Sequence, residues 1–172
     1  MRPAQAPLVV VMGVAGVGKS LVGSKIAARL DVAYEDADAF HPQVNIDKMA
    51  AGVPLTDDDR HPWLEAISRW LAGHADAGGV VSCSALRRAY RDVLRIGAPG
   101  AVFLHLHGDP DLIHRRMQTR PGHFMPPSLL GSQRDALEPL QDDECGYAYD
   151  VASAPDEIVK AFVRDAGLDR AP

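Results

Sequence analysis

Residues 13–20 read Gly-Val-Ala-Gly-Val-Gly-Lys-Ser, a complete G-x-x-x-x-G-K-S pattern, and no other stretch of the chain limits its fold as tightly. The pattern works as the turn between a buried strand and a helix, because its backbone N–H groups must converge on an anion at the helix N-terminus. Both flanks agree. Leu8-Val9-Val10-Val11-Met12 is a continuous apolar run, as expected of a strand covered on both faces of a parallel sheet. From Lys19 to Leu30, the residues Val22, Ile26 and Leu30 recur at four-residue spacing and make one apolar helical stripe. Glycines at 13, 16 and 18 let the backbone take positive φ and approach phosphate oxygens with no Cβ in the way. Gly13, Val14, Ala15, Gly16, Val17, Gly18, Lys19, Ser20 and Leu21 are therefore the expected nucleotide-binding stretch. Within it Lys19 reaches the outer phosphates and the Ser20 hydroxyl ligates Mg²⁺.

The rest of the chain alternates short strand-like runs with helical stretches. Strands are expected near Ala33–Asp36, Val80–Cys83, Ala101–His107 and Tyr147–Val151, and helices over Asp58–Ala72, Leu86–Ile96, from Asp109-Pro110 onward, and over Pro155–Ala166. Five strands alternating with helices imply an α/β fold, a three-layer α/β/α sandwich with a five-stranded parallel sheet. The 172 residues suit a single domain. Its core is expected at 7–36 and 79–172, with a substrate-binding segment at 37–78 and a lid at about 117–136.

Composition narrows the partners. A net charge of −5 argues against general nucleic-acid binding, which needs an excess of Lys and Arg. Cys83 and Cys145 lack metal-ligand spacing and read as two reduced thiols. The run Leu8–Met12 is too short for a signal-peptide core or a membrane span, so a cytoplasmic location is expected.

Glu35-Asp36-Ala37-Asp38 stands at the C-terminal end of the second strand, the edge where open α/β sheets place ligands. Alternation along an extended segment would point Asp36 and Asp38 to one side. Two neighbouring carboxylates repel unless their tasks differ. Asp36 is assigned to the Mg²⁺ water shell, and Asp38 to accepting a hydrogen bond from a substrate hydroxyl.

Further blocks carry a resemblance. The run from Asp36 through Phe40-His41-Pro42 continues to Asn45-Ile46-Asp47-Lys48-Met49 and to Pro54-Leu55-Thr56-Asp57-Asp58-Asp59-Arg60. With Pro62-Trp63-Leu64, Ser82-Cys83-Ser84-Ala85-Leu86-Arg87-Arg88-Ala89-Tyr90-Arg91-Asp92 and Gly122-His123-Phe124-Met125, it strongly resembles the gluconokinase family. That resemblance implies phosphorylation of D-gluconate by ATP to 6-phosphogluconate, on a P-loop fold similar to shikimate and nucleoside-monophosphate kinases, in a cytoplasmic homodimer. Ala37 stands where the family often has Gly, and the tail after Cys145 matches it weakly.

Gluconate needs a cation for its carboxylate and hydrogen-bonding groups for its hydroxyls. Arg60, at the start of the Trp63 helix, suits the carboxylate through two parallel hydrogen bonds. Arg87 and Arg88 follow the third strand at a helix start, where a bound anion would relieve their opposition to the helix dipole, and Arg87 is the one assigned to the site. His41 either bonds a substrate hydroxyl or caps backbone beside Pro42, and is taken as substrate-binding. Trp70 is left to packing. Arg115, Arg116 and Arg120 precede the Gly/Pro-rich segment of the lid. Arg120 is the candidate to stabilise charge on the transferring phosphoryl group. The resemblance implies an adenine contact for Arg116 and a gluconate contact for His123. A shikimate-type kinase would share the P-loop but not these blocks, and a metabolite sensor would have no need of transition-state groups.

Overall fold

The computed structural model describes residues 5–119 and 127–169, the side chains at 127–129 excepted. Strands β1 (Leu8–Met12), β2 (Ala33–Asp36), β3 (Gly79–Ser82), β4 (Val102–His107) and β5 (Gly146–Asp150) form one sheet in the order β2-β3-β1-β4-β5. Every pairing in it is parallel. β1 lies at the centre and is buried along its whole length. Val9 and Val11 face helices α1 (Lys19–Leu30) and α7 (Pro155–Asp165), whereas Leu8, Val10 and Met12 face α3 (Asp57–Gly73) and α4 (Arg88–Gly97). Burial on both sides is what its unbroken apolar run requires. At about 1.5–3 kcal/mol per buried side chain, it makes this strand the firmest anchor for the turn that follows.

The register aligns Val11 and Asp36 with Ser82, so β1, β2 and β3 end side by side at one edge. Two elements between β2 and α3 were not expected: a 3₁₀ turn at Ala37–Phe40 and helix α2 (Gln43–Ala50). Val44, Ile46 and Met49 of α2 are exposed, so it presents no apolar stripe to the core for periodicity to reveal. The 3₁₀ turn also corrects the expectation of an extended chain through Asp38. Asp36 ends the strand and caps the turn, its Oδ1 accepting the Asp38 N–H at 2.9 Å. The α4 helix begins at Arg88, later than expected, because Ala85 lies in the left-handed region at φ 44 and Arg87 is an extended cap residue.

The loop between β3 and α4 is fixed from beneath by a buried ion pair. Arg91 is fully buried, with Nε 2.7 Å and Nη2 3.0 Å from the Glu144 carboxylate, and its Nη1 donates to Ala85 O at 2.9 Å. Burial alone would push Glu144 up, but hydrogen bonds from Arg91, the Gln141 N–H and Arg95 outweigh it and hold its carboxyl at about 2. Removing one partner strands a buried charge. Arg91→Met is expected to cost about 3–5 kcal/mol in urea unfolding. An unfolded Glu titrates at about 4.3, so the Glu144 contribution is complete above that pH and is lost as pH falls from there through about 2. Glu144→Gln should flatten this part of the acid limb of the stability profile.

Candidate active site

The phosphate loop sits between β1 and α1. Gly13, Gly16 and Gly18 have φ of 146°, 82° and 98°. A Cβ on Gly13 would lie 2.5 Å from Leu106 O, and one on Gly16 would lie 2.3 Å from Met117 of α5 (Pro110–Gln118). Lys19 folds into the loop, its Nζ donating to Gly13 O and Val14 O at 3.0 Å each. An ammonium has three donors, so one remains for an anion held by the loop. Burial lowers the Lys19 pKa, while Cys83, Asp38 and Asp36 pull it upward. Burial pushes the neighbouring Cys83 thiol up to about 12, which makes it an inert core residue. Leu21 is an exposed residue of the first turn of α1.

The Ser20 hydroxyl donates to Asp36 Oδ2 at 2.9 Å. Asp36 therefore joins the phosphate loop to the turn that carries Asp38. Tyr34 and Ser82 brace this junction: Tyr34 OH donates to Ser82 Oγ at 3.0 Å, and Ser82 Oγ to Lys19 O at 2.9 Å. Among the described residues no group of three or more His, Cys, Asp or Glu side chains could hold a metal by itself. The Ser20–Asp36 pair offers hydroxyl and carboxylate oxygens, the donor type Mg²⁺ accepts while keeping several waters.

The substrate segment is assembled around α3. Thr56 and Asp59 form a reciprocal capping box at its N-terminus. Asp59 also binds Lys48 of α2 at 3.0 and 2.8 Å, and its backbone oxygen accepts from Asn45 at 2.9 Å, so α2 is clamped to α3. Trp63 Nε1 donates to Ala37 O at 2.7 Å, and its ring stacks on His41 at 4.3 Å between centroids. Trp63 thus supports both the Asp38 turn and His41. Burial lowers the His41 pKa, opposed by Asp38 and assisted by Arg60, so the three side chains share one electrostatic neighbourhood.

Arg60 and Arg87 flank Tyr90. Arg60 Nη1 lies 3.2 Å from Tyr90 OH and 3.3 Å from Asp57 Oδ1, and Tyr90 OH donates to Asp57 at 2.6 Å. The Tyr90 hydrogen bond, with Arg60 and Arg87 nearby, lowers the Asp57 pKa. Arg87 is half-exposed and reaches Glu138 only at 3.9 Å, whereas Arg88 is committed to Asp143 at 2.7 and 2.9 Å. Arg116 donates through Nη1 to Val151 O at 2.7 Å, at the end of β5. Arg120 and His123 lie outside the described residues. Helix α6 (Pro127–Ala136) also reaches the loop. Gln133 Oε1 accepts the Ala15 N–H at 2.7 Å, and Leu130 and Arg134 share a crevice with Val14, Pro110 and Ile113.

The structure thus brings Lys19, Ser20, Asp36, Asp38, His41, Arg60 and Arg87 to one edge of the sheet. In the sequence Asn45, Trp63 and Tyr90 stood only within the blocks that carry the resemblance, with no role assigned to them, and Gln133 was not singled out. Tyr90 stands three residues after Arg87 in the same helix-start block, which was the available signal.

Comparison with known proteins matches a family model described as shikimate kinase to residues 15–157. The chain is 50% identical over 137 residues to the thermosensitive gluconokinase of Escherichia coli, covering 78% of this chain and 73% of that protein. It is 42% identical over 160 residues to the gluconokinase of Gluconobacter oxydans, covering 90% and 88%. A solved gluconokinase from Sinorhizobium meliloti superposes with a TM-score of 0.86 at 47% identity, covering 94% of this chain and 92% of that one.

Proposed function

The chain belongs to the gluconokinases, within the shikimate kinase family of P-loop enzymes, and from that membership we propose that it transfers the terminal phosphoryl group of ATP to the 6-hydroxyl of D-gluconate, giving 6-phosphogluconate and ADP. The observation that carries the site assignment is the hydrogen-bonded path Ser20–Asp36–Asp38, which sets a phosphate loop and a potential hydroxyl acceptor beside one another.

Residues 13–21 bind the triphosphate, and Arg116 borders the adenine end. Ser20 and Asp36 would hold Mg²⁺, which neutralises charge on the transferring phosphates when bound. Lys19 gives its third donor to the phosphate oxygens, and Arg120 is assigned the charge that develops on the moving phosphoryl group. Arg60 and Arg87 bind the gluconate carboxylate, His41 and His123 bind its hydroxyls, and Asp38 accepts the hydrogen bond of the 6-hydroxyl. So oriented, the hydroxyl oxygen attacks the γ-phosphorus in line, the bond to the ADP oxygen breaks, and the hydroxyl proton leaves toward Asp38. Segment 37–78 is the substrate arm of the single domain and about 117–136 its lid, which excludes water from the transfer. Among the described residues no helix is long and apolar enough to cross a membrane. The cytoplasmic location and the homodimer rest on family resemblance.

ADP release measured across gluconate, shikimate and other sugar acids tests the assignment. Gluconate should give the highest kcat/KM, and a higher value for shikimate would overturn it. Arg60→Met should raise KM for gluconate by about 10–100-fold, the loss of one charge-assisted carboxylate contact, and leave KM for ATP unchanged. Tyr90→Phe should reproduce a smaller part of that rise, since it frees Asp57 to compete for Arg60.

A further inference from the structure

Asn45 is 1% exposed, yet among the described residues its Oδ1 has no hydrogen-bond partner. Its Nδ2 lies 2.9 Å from Asp59 O and 3.2 Å from His41 Nδ1. A backbone carbonyl only accepts, so the atom facing Asp59 O must be the amide nitrogen. Turning the carboxamide over would set two oxygens against each other and bury two unsatisfied donors. With that orientation fixed, the second N–H of Asn45 is aimed at His41 Nδ1, which has to accept. A neutral imidazole that accepts at Nδ1 carries its proton on Nε2. Trp63, stacked on the ring with 8° between the planes, keeps it from tilting and so sets the direction of the Nε2–H.

We propose that Asn45 is a positioning residue that locks His41 in the Nε2–H tautomer, so that His41 meets the sugar acid as a neutral hydrogen-bond donor rather than as a base or a cation. The proposal rests on the reading of His41 as a substrate-binding residue. Protonation at Nδ1 would turn an N–H toward the N–H of Asn45, so the lock also opposes the cation. Among the described residues, the charged groups facing the ring are Asp38 from the 3₁₀ turn, which favours the cation, and Arg60 from α3, which opposes it. Burial acts in the same direction as Arg60. The Lys48–Asp59 pair behind Asn45 is internally neutralised at 2.8 Å. A donor of this kind selects for an oxygen acceptor at its position and against an ammonium or amide N–H there.

The ring tautomer is read from ¹⁵N NMR of the labelled wild-type chain, the His41 signals being identified by their loss in His41→Gln. Near neutral pH the expected pattern is a proton on Nε2 and none on Nδ1; a proton on Nδ1 would overturn the proposal. Asn45→Asp supplies an acceptor for Nδ1–H. It should raise KM for gluconate about 10-fold near neutral pH, with kcat within about three-fold, the effect of one misdirected hydrogen bond, and the rise should shrink at low pH, where the cation regains an N–H on Nε2. A purely structural role for Asn45 would lower the melting temperature and leave KM for gluconate unchanged at every pH, which also counts against the proposal. If the variant does not fold, the wild-type tautomer decides alone. An unchanged KM in His41→Ala would instead overturn the substrate reading of His41, and the tautomer measurement separates that failure from failure of the lock.

Discussion

Lys19→Ala should lower kcat for gluconate phosphorylation by about 10³–10⁵-fold, the range that a single cation supplies to phosphoryl transfer. The size follows from where the ammonium sits. It is half-buried in the loop, tied to Gly13 O and Val14 O, and its remaining donor is directed by those two bonds. Such a group spends no reorganisation when charge spreads over the phosphoryl oxygens, and that is where a preorganised donor acts most strongly. ADP release with saturating gluconate measures the effect, and thermal unfolding checks the fold. The loop carbonyls return to solvent in the variant, so the melting temperature should change little. A kcat within ten-fold of wild type would remove Lys19 from the transition state.

Asp38→Asn should lower kcat by about 10²–10³-fold while KM for ATP stays within about three-fold, because the lost group acts on the hydroxyl and not on the nucleotide. The substitution keeps the shape of the side chain and its place in the turn capped by Asp36. It exchanges a carboxylate for an amide that no longer takes a proton. A loose transition state asks little of a base before the phosphoryl group has moved, which holds the expected loss to the lower part of the general-base range. Steady-state kinetics at fixed pH with both substrates varied separates the two constants. An unchanged kcat would assign the 6-hydroxyl to another residue.

The sheet was legible because its signals are local and strong. The run Leu8–Met12 and the stripe Val22, Ile26, Leu30 each read as the element they form, and the glycine pattern between them fixed the turn. The substrate arm was less so. Helix α2 faces solvent with its apolar residues and is held by polar clamps, Lys48 and Asn45 on Asp59, which leave no periodic trace. Asp38 was assigned to the ligand edge, but through an extended geometry that the 3₁₀ turn replaces. Tyr90 gained meaning only when folding brought it to Arg60 and Asp57, thirty or more residues away in sequence. Gln133 was beyond reach for the same reason, since its contact with Ala15 spans 118 residues. Individual residue types announced the chemistry of the loop and the acidic turn, whereas the hydrogen bonds that orient them are long-range.

Product analysis tests the central claim most directly. ATP, Mg²⁺ and D-gluconate are incubated with the enzyme, and the phosphorylated product is identified by ³¹P NMR alongside the ADP released. One equivalent of 6-phosphogluconate per ADP is the expected result. ADP no higher than in the absence of gluconate, or phosphate on any other hydroxyl, would contradict it.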